Sequence, residues 1–446
     1  MNKTILIGEF NSEKYWKDEG YAKLPEIPDK NSYNIIRSMD ELLFPLAKSK
    51  DLLITRYKFN SFLKDYLESI GFDFLCTNKN VETVEDINDN SIFEVLYKNK
   101  NLFNDIFPYD VKDRSLEPYS IMKYCKNLAY SLNLKYNGCD YKIVKNVNSK
   151  VYSQNLSKIL NLKYYGEIIS SHEELVLLSN EAKFNNGLLI KDPYGVSGKG
   201  NMLLNSKVLI NRIAKYLKAQ EDKGLKTLFV VEPFLQKEID FSCGLNISKE
   251  GKIKIISVQK MINSNFAYLG SITADKDFVD YLYRNNYFYT IEKIADKLHE
   301  DGYFGDVCID SMILANGDIV PIIEINCRKS MGFINYYLDQ YLKRYNLKGS
   351  LCFLNLGYKK DLTFEILFEA LKSKGLIFYS NLTTGLIPIS SNTMFINRDL
   401  DISPKEEKIY KGRFYMCIVS SDSEERENIL DKVKKTLYEL SVQIYN

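Results

Sequence analysis

GDVCIDSMILANGDIVPIIEINCRKSMG, residues 305–332, is the stretch whose reading decides the fold. It holds two apolar runs. Asp310 sits in the first, Glu324 in the second, and Asn326 follows Glu324 by two residues. Strand side chains alternate between faces, so Glu324 and Asn326 point the same way. Three hard oxygen donors on adjacent strands suit magnesium, with manganese as the alternative, and such a cation is usually held together with substrate phosphates. Asn316-Gly317 marks the turn between the runs. A strict two-residue turn would set Asp310 opposite Ile323 and send Glu324 to the far face. The metal set therefore predicts an odd-length loop or a bulge. Pro321 cannot donate to a ladder and marks where irregularity is tolerated.

The place for phosphates lies upstream. Residues 187–201 read GLLIKDPYGVSGKGN. A short apolar strand delivers Lys191, and a loop with Gly195, Ser197, Gly198, Lys199 and Gly200 follows. Glycines let backbone N–H groups approach an anion closely, and Lys191 and Lys199 supply charge. The spacing is neither a Walker A loop, since no Ser or Thr follows Lys199, nor GxGxxG. Residues 229–242, FVVEPFLQKEIDFS, form an apolar strand that ends at Glu232-Pro233 and resumes at Asp240. The linker Glu232, Pro233, Phe234, Leu235 offers backbone groups to an adenine edge. Asp240, with Glu238 as its rival, offers a carboxylate to ribose hydroxyls.

Composition bounds the rest. The 446 residues exceed one ordinary core, and 45% hydrophobic content is that of a globular protein. A net charge of +2 with dispersed basic residues points to no nucleic-acid partner. No apolar run reaches membrane-spanning length, and the early Glu9 argues against a signal peptide. Eight cysteines without CxxC spacing read as reduced, mostly buried thiols of a cytoplasmic protein. With only His172 and His299, both in polar helix-like stretches, a Ser-His-Asp triad or a His-rich metal site is excluded.

Strands are expected at 4–10, 51–55, 187–192, 227–232, 240–247 and 252–260. Helices are expected at 60–70, 91–107, 117–133, 150–161, 173–183, 276–300, 335–347 and 423–440, and a polar boundary at 133–149. The alternation argues an α/β (α+β) chain.

Taken in order, these segments resemble the ATP-grasp family of carboxylate–amine ligases, over roughly residues 149–345. The resemblance implies an N-terminal α/β pre-ATP-grasp domain (1–148), an ATP-grasp domain of two subdomains with the nucleotide between them (149–347), and a small C-terminal α/β segment (348–446). It implies that Lys150 and Lys191 hold ATP phosphates, with Lys158 and Lys163 as rivals for the first, and that Gly195–Gly200 closes over them. Glu232–Leu235 would hold adenine and Asp240 ribose, Asp310, Glu324 and Asn326 would bind Mg2+, and Arg328 would face the acyl phosphate or substrate carboxylate. Arg328 and Lys191 are the expected catalytic residues; Ser330 and Tyr268 are expected at a polar substrate end. Residues 259–272 stand where such enzymes have a substrate-facing loop. The implied partners are a small carboxylate and an amine, amino acids or peptides, in specialised metabolism, and the family expectation is a homodimer. An adenylate-forming or kinase-like enzyme on the same ATP site, and a non-catalytic nucleotide-binding protein, are the alternatives.

Overall fold

The computed structural model describes residues 3–81, 90–99, 111, 113–195, 200–264, 267–403 and 407–445. Three sheets organise them. The first comprises β1 (Thr4–Ile7), β2 (Leu52–Ile54), β3 (Leu75–Cys76) and β4 (Ser115–Pro118), in the order β3-β2-β1-β4. All its pairings are parallel. Such strands are apolar along their length because both faces are covered. Ile5, Ile7, Leu52 and Ile54 enter one core, while Leu6 and Leu53 enter another. The carboxyl ends of β1, β2 and β4 run into Gly8–Phe10, Thr55–Arg56 and Tyr119–Ser120, the end where open parallel sheets place ligands.

A helix was expected over 117–133. The chain instead forms β4 through Pro118 and a shorter helix, Cys125–Ser131, because β4 is drawn into the ladder beside β1. The polar stretch 133–149 contains the helix Tyr141–Val147, capped by the Asp140 carboxylate. Of the helix expected at 91–107, Ile92–Lys98 is present and the part beyond residue 99 lies outside the described residues.

The second sheet, β5-β8-β6-β7, is antiparallel and small: β5 (Glu167–Ile169), β6 (Leu188–Lys191), β7 (Asn201–Leu204) and β8 (Phe229–Pro233). The helices His172–Leu178 and Lys207–Glu221 belong to the same unit. Its core of Leu188, Ile190, Leu204, Phe229 and Val231 also takes in Ala22 and Leu24. Residues 20–24 strap onto this unit: Ala22 N donates to Lys226 O (2.8 Å) and Lys226 N to Gly20 O (2.9 Å).

The third sheet runs β13-β12-β9-β10-β11-β14-β16-β15, with β17 (Gln443–Ile444) on β14. Its other members are β9 (Lys237–Ile247), β10 (Ile253–Ser264), β11 (Ala267–Thr273), β12 (Gly305–Leu314), β13 (Ile319–Asn326), β14 (Gly349–Tyr358), β15 (Gly385–Pro388) and β16 (Tyr410–Val419). The C-terminal strands thus continue the sheet through the β11–β14 pairing. Segment 259–272, expected as a loop, is largely the β10–β11 hairpin. Gly270 permits the approach of β14, since a Cβ there would lie 2.3 Å from Leu351 O. On one face Phe241, Leu245, Val307 and Ile309 share a core with Phe278, Ile291 and Leu298 of the helices Lys276–Arg284 and Tyr287–Glu300. Those two helices make up the helical region expected at 276–300, with a break at Asn286 in the left-handed region (φ +56°). The opposite face carries the polar residues.

Candidate active site

The site begins with the β12–β13 register. The turn has three residues: Leu314 N donates to Asp318 O (2.9 Å) and Gly317 N to Leu314 O (2.8 Å), with Gly317 at φ +83°. Met312 pairs with Val320, but the next pair is Asp310 with Glu324. Only Ser311 separates the partners on β12, whereas Pro321–Ile323 separate them on β13. The odd turn sets the face, and the bulge advances β13 until Glu324 stands beside Asp310. Both expected devices are present together. Ser311 Oγ fixes the bulge by donating to Pro321 O (2.9 Å), and it lies 2.8 Å from Tyr287 Oη.

Pairing extends the row across four strands as Gln259, Ser242, Asp310 and Glu324. Asp240 lies beside Met312 on the same face, and Asn326 beside Cys308. Asn326 Nδ2 donates to Asp310 Oδ2 (3.0 Å). Burial, and next the Glu324 charge, push the Asp310 carboxyl up to about 7; Arg328 offsets part of this.

Lys150 opens the helix Lys150–Ile159 behind the Ser149 cap. Its buried Nζ reaches Glu324 Oε1 (2.8 Å) and Gly195 O (2.5 Å), joining the carboxylate row to the glycine loop. Its rivals pair elsewhere, Lys158 with Glu167 and Lys163 with Asp318. Lys191 ends β6 and meets Glu232 Oε2 (2.5 Å), whose other oxygen accepts Gln154 Nε2 (2.7 Å). The residues that flank the glycine loop meet, Asp192 N donating to Gly200 O (2.7 Å). Gly200 adopts φ +76°, and a Cβ there would meet Gly195 Cα at 3.2 Å. Ser197, Gly198 and Lys199 lie outside the described residues.

The linker after β8 needs one correction. Pro233 has no N–H, and Phe234 N already donates to Gly187 O (3.0 Å). Of the expected adenine-reading donors only Leu235 N–H remains a candidate, alongside the carbonyls. Asp240 forms an ion pair with Lys237, and Glu238 is exposed.

Arg328 is a hub. Nε and Nη2 donate to Glu13 Oε1 (2.9 and 2.7 Å), and Nη2 also reaches Asn326 Oδ1 (3.2 Å). Nη1 donates to Tyr119 Oη (3.2 Å) and Lys329 O (3.1 Å). All five guanidinium N–H groups are engaged, so a new oxyanion must displace one acceptor. Neighbouring Lys329, buried, bridges Glu117 and Asp306 at 2.9 Å each. These contacts bring the first sheet's carboxyl end to the carboxylate row. Ser330 Oγ is buried beside the Cys308 thiol. Tyr268 makes no hydrogen bond to Arg328 among the described residues: its hydroxyl donates to Ser271 Oγ (3.0 Å) and its ring neighbours Phe353.

Sequence reasoning missed Glu13, Tyr119, Gln154, Ser242 and Gln259. Buried polarity in apolar strands could have flagged Ser242 and Gln259; nothing local singles out Glu13 or Gln154.

No family model matches the chain. Among solved structures it resembles the ADP complex of an N5-carboxyaminoimidazole ribonucleotide synthetase (TM-score 0.53, 14% identity, 98% of this chain and 96% of that one). It also resembles biotin carboxylase from Campylobacter jejuni (TM-score 0.54, 11% identity, 100% and 92%). A third is an L-amino acid ligase from Bacillus licheniformis (TM-score 0.50, 12% identity, 100% and 98%). The chain has the ATP-grasp fold. In sequence it is 26% identical over 184 residues to the [butirosin acyl-carrier protein]–L-glutamate ligase of Niallia circulans, a match spanning 40% of this chain and 41% of that protein.

Proposed function

We propose that this protein is an ATP-dependent carboxylate–amine ligase that forms ADP, and that it acts on amino acids or small peptides in specialised metabolism. The carrying observation is the half-buried carboxylate pair Asp310–Glu324, tied by Lys150 to the glycine loop and through Asn326 to Arg328. Two adjacent carboxylates, with the Glu324 charge helping to raise the proton affinity of Asp310, form a donor set that a divalent cation satisfies. Asp310 and Glu324, with the Asn326 amide oxygen, would hold Mg2+, which when bound neutralises charge on the phosphates.

In this reading the substrate carboxylate attacks the γ-phosphorus, giving an acyl phosphate and ADP. The amine then attacks the acyl carbon and phosphate leaves. Lys150 and Lys191 exchange their carboxylate partners for phosphate oxygens and orient the transferring group. Arg328 gives up one acceptor to the acyl phosphate and places its charge where the oxyanion develops. The name of the Niallia relative supports an amino acid on one side of the bond, and it makes a carrier-bound second substrate a candidate.

The test is product analysis with magnesium-ATP and amino-acid pools. ADP and phosphate appearing only with particular amino acids is the expected result. AMP and pyrophosphate would overturn the acyl-phosphate route.

A further inference from the structure

Glu13 stands against Arg328 and carries one oxygen without a hydrogen-bond partner among the described residues. Its helix, Ser12–Trp16, follows β1 and is anchored on both sides of Glu13. Trp16 is fully buried with its indole N–H toward Ile121 O (3.4 Å), and Ser12 Oγ donates to Glu9 O (2.6 Å). The Glu13 side chain is 4% exposed. Its Oε1 takes both Arg328 donors, while its Oε2 is buried with no hydrogen-bond partner among the described residues.

A carboxylate only accepts, so the group that completes Oε2 must bring an N–H or O–H. A buried charged oxygen left unsatisfied is costly, which makes such a position one that a ligand completes. The surroundings define that ligand. Arg328 joins Glu13 to Tyr119 and to Asn326, and Asn326 leads to Asp310. A donor on Oε2 therefore sits next to whatever Arg328 holds. The Glu13 charge repels a carboxylate or phosphate and attracts an amine.

We infer that Glu13 Oε2 is the amine site: it accepts an N–H of the nucleophile and aims the nitrogen lone pair at the acyl carbon beside Arg328. This rests on the ligase reading. In the step itself the N–C bond forms and the acyl C–O bond to phosphate breaks, the electron pair leaving with phosphate. The proton lost by nitrogen passes to Glu13 and then to the departing phosphate.

The test has two arms. In the first, the amino-acid pair that drives ADP release in the wild type is used to characterise Glu13→Gln and Glu13→Asp. Glu13→Gln should raise KM for the amine at least tenfold, leave KM for ATP and carboxylate within twofold, and still form acyl phosphate trapped by hydroxylamine. Glu13→Asp should recover part of the loss. An unchanged amine KM, or equal rises for both substrates, overturns the assignment. The second arm needs no turnover. Amino-acid methyl esters, which offer an amine but no free carboxylate, are tested by equilibrium dialysis in the presence of a non-hydrolysable ATP analogue and Mg2+. Binding at least tenfold tighter to wild type than to Glu13→Gln supports the site. Equal binding, including none, overturns it. Failure of the ligase reading appears separately, as the absence of ADP from the wild type.

Discussion

Asp310 costs the apo protein stability, and the cost can be measured against pH. Its carboxyl is pushed from 3.8 up to about 7, first by burial and then by Glu324. With the folded value above the unfolded one, the native state binds the extra proton. The resulting stabilisation is fully present below pH 3.8 and is lost as pH rises through 7. A shift of about 3 units corresponds to about 4 kcal/mol once both states are ionised. By the same relation, about 2.5 kcal/mol of that falls between pH 5 and pH 7.5. Asp310→Asn removes the titration. In EDTA, melting followed by circular dichroism should show the variant several degrees more stable than wild type at pH 7.5, the gap narrowing toward pH 5. Glu41 is pushed up to about 7 by burial in the same window, so the difference between the two proteins, and not the wild-type slope, is diagnostic. Magnesium-ADP should reverse the order, adding about 2.7 kcal/mol to wild type at one hundred times Kd and far less to the variant. A variant that melts at or below wild type at pH 7.5, or a gap independent of pH, would refute the reasoning.

Lys150→Ala strands Glu324 beside Asp310; it should cost about 3 kcal/mol and abolish tight ADP binding in equilibrium dialysis, and wild-type affinity would remove Lys150 from the phosphate site. Ser311→Ala touches none of the proposed metal ligands, yet it frees the bulge at Pro321 and the Tyr287 hydroxyl. About 1–2 kcal/mol should be lost in urea melts together with magnesium-dependent nucleotide affinity. Unchanged affinity would mean that the bulge holds without that hydroxyl. Leu24→Ala should cost about 2–4 kcal/mol and speed proteolytic cleavage near residues 17–29, because the strap loses its anchor in the small sheet's core. Equal cleavage rates would show that the main-chain bridge to Lys226 suffices. Arg328→Lys keeps the charge but loses the fork; kcat should fall about a hundredfold with ADP affinity little changed, and an unaltered kcat would sink its assignment.

The sequence by itself determined the features that rest on short-range rules. Asp310, Glu324 and Asn326 on one face, the glycine loop after Lys191, and the need for an odd turn or a bulge all follow from strand alternation and turn chemistry within some thirty residues. The ATP-grasp fold was legible for the same reason, since its segments are local and come in a fixed order. Tertiary structure decided the rest. Lys150, Lys158 and Lys163 are equivalent as lysines on one stretch, and only packing brings Lys150 to Glu324. The linker beyond Glu232 looked free to read adenine until Gly187 claimed the Phe234 N–H. Tyr268 was drawn into the C-terminal core because β14 continues the sheet past β11, a pairing that alternation within one segment cannot announce. Glu13 is the extreme case. It meets Arg328 across 315 positions of chain, and its partner and the oxygen left without one among the described residues are properties of how two separate sheets pack.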